Sequence, residues 1–262
     1  MNLNLTGKPV IVCASSSGLG RAAALEFARE GANVMLSGRR EKELLQAAAD
    51  IKGQTGREAG VTVADVTKTG DIERLVANTV GQFGGVYTLI NNSGGPPAGT
   101  FDSFDDSAWQ AAFELTLLSY VRTIRAVLPH MRKAGGGRIV NYSSSSVKSP
   151  LENLILSNTF RTGVMGLTKT LAGELGKDGI LVNIQAPGRI QTDRLNHLDG
   201  LRAAKSGMTA EQVRGEACKT IPLGRYGTPE EFAKLTVFLG SPANTYLTGQ
   251  TLVFDGGMTK AY

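Results

Sequence analysis

The chain has 262 residues, 41% hydrophobic and 19% charged, which is ordinary for a globular protein with one substantial core. Its formal charge is +5, but the basic residues are scattered and not interleaved with aromatics; that argues against a nucleic-acid surface and suits an anionic small ligand. No segment has the apolar length to span a bilayer, and Cys13 and Cys218 have no Cys or His at metal-ligand spacing, so no membrane or metal role is expected and the cytoplasm is the default compartment.

Short Val- and Ile-rich runs alternate with longer segments of helical period, the pattern of βαβ units around a parallel sheet. The first predicted strand, 9–14, runs into Ala14-Ser15-Ser16-Ser17-Gly18-Leu19-Gly20 and a helix at 19–30. Gly18 and Gly20 let backbone come close to a pyrophosphate on the positive helix N-terminus, and the serines, Ser15 and Ser17 among them, offer hydroxyl and amide donors. The second strand, 33–38, ends at Arg39-Arg40, where an NAD-binding chain carries an acid for the ribose 2′-hydroxyl. An Arg there neutralises a 2′-phosphate instead, so NADP is the expected cofactor, ahead of NAD. A helix at 41–51, a strand at 61–65, a helix at 71–83, a strand at 87–92 and a helix at 105–133 follow.

A strand at 138–143 leads into four serines, Ser143 to Ser146, and then a helix at 154–177 and a strand at 180–186. From 190 to 228 the alternation breaks and Gly, Arg and Lys are frequent, before a helix at 229–240 and a strand at 250–255. Ligands of doubly wound sheets bind beyond the carboxyl ends of the strands, so 190–228 is a candidate substrate lid on a single dinucleotide-binding domain spanning 1–262.

Several segments, in order and over nearly the whole chain, together resemble the short-chain dehydrogenase/reductase family. They are SSSGLG at 15–20, Asp65-Val66, Asn91-Asn92-Ser93-Gly94, GRIVNYSSSS at 137–146, Pro187-Gly188 with Ile190 and Thr192, and Asp255-Gly256-Gly257. The resemblance implies a Rossmann-type α/β fold, a doubly wound seven-stranded parallel sheet of order 3-2-1-4-5-6-7 with helices on both faces. It also implies a homo-oligomer, dimer or tetramer, paired through the helices at 105–133 and 154–177. By the same resemblance, Leu19 belongs to the phosphate loop, and Asp65 and Val66 hold the adenine. Asn91, Ser93 and Gly94 line the ribose and nicotinamide side, Pro187 and Gly188 belong to the cofactor site, and Ile190 and Thr192 bond the carboxamide.

The departures matter as much as the matches. Ala14 takes the place of the loop's first glycine, tolerable for a small residue unless that position needs a positive φ. Counting back from LPHM at 128–131 puts Thr116 where the family has a proton-relay Asn. Ser144 matches the catalytic Ser, but the Tyr position falls on Ser157 and the Lys position on Arg161. In the family mechanism the Tyr hydroxyl, its pKa lowered by the Lys, gives a proton to the carbonyl oxygen as hydride arrives. A Ser hydroxyl ionises far less readily and is too short to reach that oxygen, whereas Arg161 can bond a ribose but stays protonated.

Ser157, Asn158 and Arg161 still form a polar group opposite the serine run, where random decay would leave apolar residues. The expectation is an NADP(H)-dependent oxidoreductase acting on a carbonyl or hydroxyl small molecule, with Ser144, Ser157, Arg161 and Thr116 as catalytic candidates. The alternative is a catalytically inactive nucleotide-binding or redox-sensing protein. Tyr142, His197 and Tyr226 are the other residues able to supply a proton, each with packing or surface exposure as its competing role.

Overall fold

The computed structural model describes residues 2–261. The apolar runs form seven strands: β1 (Pro9–Val12), β2 (Asn33–Gly38), β3 (Gly60–Val63), β4 (Thr88–Asn91), β5 (Gly137–Tyr142), β6 (Ile180–Pro187) and β7 (Thr251–Phe254). All pair in parallel in the order β3-β2-β1-β4-β5-β6-β7, the order expected from the resemblance. Between them lie α1 (Gly18–Arg29), α2 (Glu41–Thr55), α3 (Thr69–Phe83), α4 (Asp106–Phe113), α5 (Ser119–Lys133), α6 (Ile155–Leu175), α7 (Asp193–Ser206), α8 (Ala210–Lys219) and α9 (Pro229–Leu239).

The central strands are apolar along their whole length because both faces are covered. On β1 the two-residue alternation sends Val10 and Val12 to a core containing Phe27 of α1 and Phe232 of α9, and Ile11 to a second core containing Leu75 of α3 and Val127 of α5. Burying side chains of this size contributes about 1.5–3 kcal/mol each, which fixes the register and with it the positions of the loops at the strand ends. Among the described residues no helix is long and apolar enough to cross a membrane.

Two sequence expectations are corrected. The single helix expected at 105–133 is divided by a π-helical turn, Glu114–Leu118, between α4 and α5. One inserted residue leaves the surrounding three-and-four spacing of apolar residues nearly unchanged, so periodicity does not reveal it. The stretch 190–228 contains two helices. It gave no helical signal because α7 buries only Asp199 and Ala203, and α8 only Val213 and Ala217, too few for a continuous apolar stripe. The caps were its local signature: the Thr192 hydroxyl accepts from the Leu195 amide, Thr209 and Gln212 form a capping box, and Gly207 ends α7 at φ +69°.

Candidate active site

A cleft of about 560 Å³ opens beyond the carboxyl ends of the strands, spanning the point between β1 and β4 where the winding of the sheet reverses. Its floor at one end is the turn from β1 into α1. The chain leaves β1 through Ala14 at φ +48°, a left-handed conformation that costs an L-residue about 1–2 kcal/mol. Gly20 packs behind this turn so closely that a Cβ there would overlap the Ala14 carbonyl oxygen and stand 3.0 Å from its carbon. Asn92 Nδ2 donates to the same oxygen at 3.3 Å. Ser17, Gly18 and Leu19 are thereby presented to the cleft, at the N-terminus of α1.

Gly20 itself lies outside the cleft lining: it shapes the loop from behind instead of meeting a ligand. Ser15 requires a correction too. Its hydroxyl accepts from the Ser37 amide at 2.9 Å and donates to the Ser37 carbonyl at 3.3 Å, and its own amide donates to that carbonyl, so it ties the loop to β2 and offers the cleft nothing. At the rim Arg40 donates to the hydroxyls of Ser17 at 2.9 Å and Ser16 at 3.2 Å, and faces Glu43 at 3.3 Å. Arg39, Asp65 and Val66 line the same end. The Asp65 carboxylate is held by the Thr67 amide and hydroxyl at 2.9 and 2.8 Å.

At the other end Ser93 and Gly94 line the cleft, but the Asn91 side chain does not. Asn91 Nδ2 donates to Asn141 Oδ1 at 2.9 Å and its Oδ1 accepts from Thr123 at 2.6 Å, so the amide braces β4 against β5 and α5. Thr116, the relay candidate, is fully buried in the π turn with its hydroxyl bonded to the Ala112 carbonyl, which removes it from the site. Asn158 bonds the Leu151 carbonyl at 2.8 Å and steadies the preceding loop instead of joining its neighbours in the cleft.

Ser144, Ser157 and Arg161 are brought together. Ser144 caps a short 3-10 turn, accepting from the Ser146 amide at 3.1 Å. Ser157 and Arg161, one turn apart on α6, line the cleft, each only 8% exposed. The Ser157 hydroxyl has no hydrogen-bond partner among the described residues. Arg161 Nη1 donates to the Tyr142 carbonyl at 3.1 Å, and the buried Tyr120 hydroxyl donates to the same oxygen at 2.8 Å. Burial pushes the Tyr120 pKa up, with the Arg161 charge opposing it.

None of the alternative proton donors has its side-chain donor in the cleft. β5 ends at Tyr142, so the strand alternation that would aim it alongside Ser144 stops there. Its ring packs edge-on against Phe232 at 5.0 Å, and its hydroxyl bonds Thr236 at 2.8 Å. His197 is exposed on α7, outside the cleft lining. Tyr226 donates to Asp199 Oδ2 at 2.9 Å, and burial, then this bond, push its pKa up to about 12.

Pro187, Gly188, Ile190 and Thr192 line the cleft along the β6 side. Gly188 is required there, since a Cβ would come within 2.8 Å of the Asp255 backbone. Sequence reasoning missed Arg194, which reaches from α7 to the Gly95 and Pro96 carbonyls, each at 3.3 Å. Its one local signal was its place two residues beyond Thr192.

A tight glycine turn, a helix N-terminus and a polar cleft at the switch point of a parallel sheet define a dinucleotide-binding α/β protein. The family model described as enoyl-(acyl carrier protein) reductase matches residues 13–259. Dehydrogenase/reductase SDR family member 4 of Bos taurus is 36% identical over 255 residues, covering 97% of this chain and 88% of that protein. The 3-oxoacyl-(acyl-carrier-protein) reductase FabG of Chlamydia muridarum is 33% identical over 258 residues, covering 98% and 100%. The crystal structure of L-sorbose reductase from Gluconobacter frateurii, complexed with NADPH and L-sorbose, superimposes with a TM-score of 0.95 at 33% identity over the full length of both chains. The chain belongs to the short-chain dehydrogenase/reductase family of oxidoreductases.

Proposed function

We propose that the protein is an NADP(H)-dependent oxidoreductase of a small carbonyl or hydroxyl compound, working without the Tyr and Lys of its family. The observation that carries this reading is the pair Ser157 and Arg161, nearly buried yet lining the cleft with Ser144. A decayed site on a helix whose neighbouring Leu156 and Val164 are core residues would have closed over with apolar side chains.

The fit to NADP(H) rests on the glycine turn, which leaves backbone room at the N-terminus of α1 for a diphosphate, and on Arg39 and Arg40 beside Ser16 and Ser17 for a 2′-phosphate. The solved relative complexed with NADPH supports the same choice. When bound, the cofactor supplies or accepts hydride. In the reducing direction Ser144, with Ser157 or a water held there, polarises the substrate's carbonyl oxygen and relays it a proton from solvent. Arg161 acts by fixed charge: it bonds the cofactor ribose and stabilises negative charge developing on the substrate oxygen.

The test is fluorescence titration with NADPH and NADH, followed by reduced-nicotinamide absorbance with a panel of carbonyl compounds. NADPH is expected to bind more tightly, and Arg39→Ala and Arg40→Ala to cost NADPH alone about 1.5–3 kcal/mol each. Tight NADPH binding with no oxidation by any carbonyl compound would leave the nucleotide-binding, non-catalytic reading standing.

A further inference from the structure

Six arginines line the cleft, Arg39, Arg40, Arg161, Arg189, Arg194 and Arg202, against two carboxylates, Asp65 and Asp193. Arg39 and Arg40 belong to the rim around Ser16 and Ser17. Arg189 and Arg202 face the buried Asp199 at 3.5 and 3.9 Å. Asp65 is engaged by Thr67, and Asp193 forms no ion pair with either remaining arginine. Arg161 and Arg194 are therefore left without an anion among the described residues. Their bonds go to neutral carbonyls, of Tyr142 for one and of Gly95 and Pro96 for the other.

The two cations sense one another. Burial, and then the Arg161 charge, hold the Arg194 pKa below the usual guanidinium range. Arg194 lies flat over Gly95, where a Cβ would come within 2.7 Å of Cζ, and its two carbonyl contacts leave further N–H groups of its planar fork for a ligand. Gly95 follows β4, and Arg194 lies close enough to Arg161, one turn from Ser157 on α6, to feel its charge. The cleft lining also includes Leu151, Leu154 and Leu198. Like charges repel, a cost that a bound anion removes.

We propose that the substrate is an oxo acid, its carboxylate received in a fork by Arg194 within the field of Arg161, and its carbonyl oxygen polarised by Ser144 with Ser157 or a water held there. This rests on the oxidoreductase reading. Because Arg194 rides on α7, the same contact makes the lid part of the substrate site.

An oxo acid added to the NADP⁺ complex cannot react, since both partners are oxidised, so calorimetry reads binding without turnover. The probes are pyruvate, acetoacetate and 4-oxopentanoate, each beside its methyl ester. At least one acid should bind about ten-fold more tightly than its ester, as a charge-assisted fork implies. Arg194→Gln should erase that preference while leaving NADP⁺ affinity unchanged, with circular dichroism confirming the fold. Acids and esters binding alike throughout the panel would overturn the proposal. So would an Arg194→Gln variant that loses NADP⁺ affinity and keeps the acid preference, because the arginine would then serve the cofactor. Failure of NADP⁺ itself to bind the unmodified protein would instead remove the oxidoreductase reading beneath it.

Discussion

The two ends of the cleft are built from different materials. At the phosphate end the shape is backbone: Ala14 in a left-handed conformation, Gly20 pressed against its carbonyl and Ser15 locked to Ser37 leave almost no room for an added atom. At the reacting end the shape is side chain: Ser144, Ser157, Arg161 and Arg194 project from elements whose stability lies elsewhere. α6 is anchored by Leu156, Val164, Thr168 and Leu175, so its cleft-facing positions can change chemistry without cost to the helix. The difference shows how one chain can keep the shape of its cofactor loop while the three positions that the resemblance aligns with the family's Asn, Tyr and Lys carry Thr116, Ser157 and Arg161.

The sharpest way to break this comparison is at Gly20. Gly20→Ala must push a methyl into the Ala14 carbonyl, and should cost about 3 kcal/mol of stability, measured by denaturant unfolding, together with NADPH binding. Full stability with normal binding would mean that the turn is softer than its packing indicates. At the reacting end, Arg161→Ala should lower NADPH affinity by about 1.5–3 kcal/mol, with Arg161→Lys restoring only part of it because a point charge cannot reproduce the planar fork. Unchanged affinity in a fluorescence titration would reduce Arg161 to a brace for the Tyr142 carbonyl. The smallest effect is expected at Ala14. Ala14→Gly relieves about 1–2 kcal/mol of left-handed strain against about 0.5–1 kcal/mol of added chain entropy, so the unfolding midpoint should rise slightly with cofactor binding intact. A fall in stability would show that the Ala14 methyl contributes packing that outweighs its strain.

The sequence by itself determined the seven strands through short-range periodicity, while their order and the grouping of Ser144, Ser157 and Arg161 in one cleft came from the family resemblance that its motifs carry. It did not determine which polar side chains are already engaged. Ser15 is claimed by a residue 22 positions away, Asn91 by one 50 positions away, and Arg194 reaches carbonyls 99 and 98 positions back along the chain. Thr116 was removed by a one-residue π insertion, and α7 and α8 formed without an apolar stripe because they pack only lightly on the rest. Those outcomes belong to the tertiary structure: a hydrogen bond has a reach of about 3 Å, and only the closed sheet decides which groups come within it.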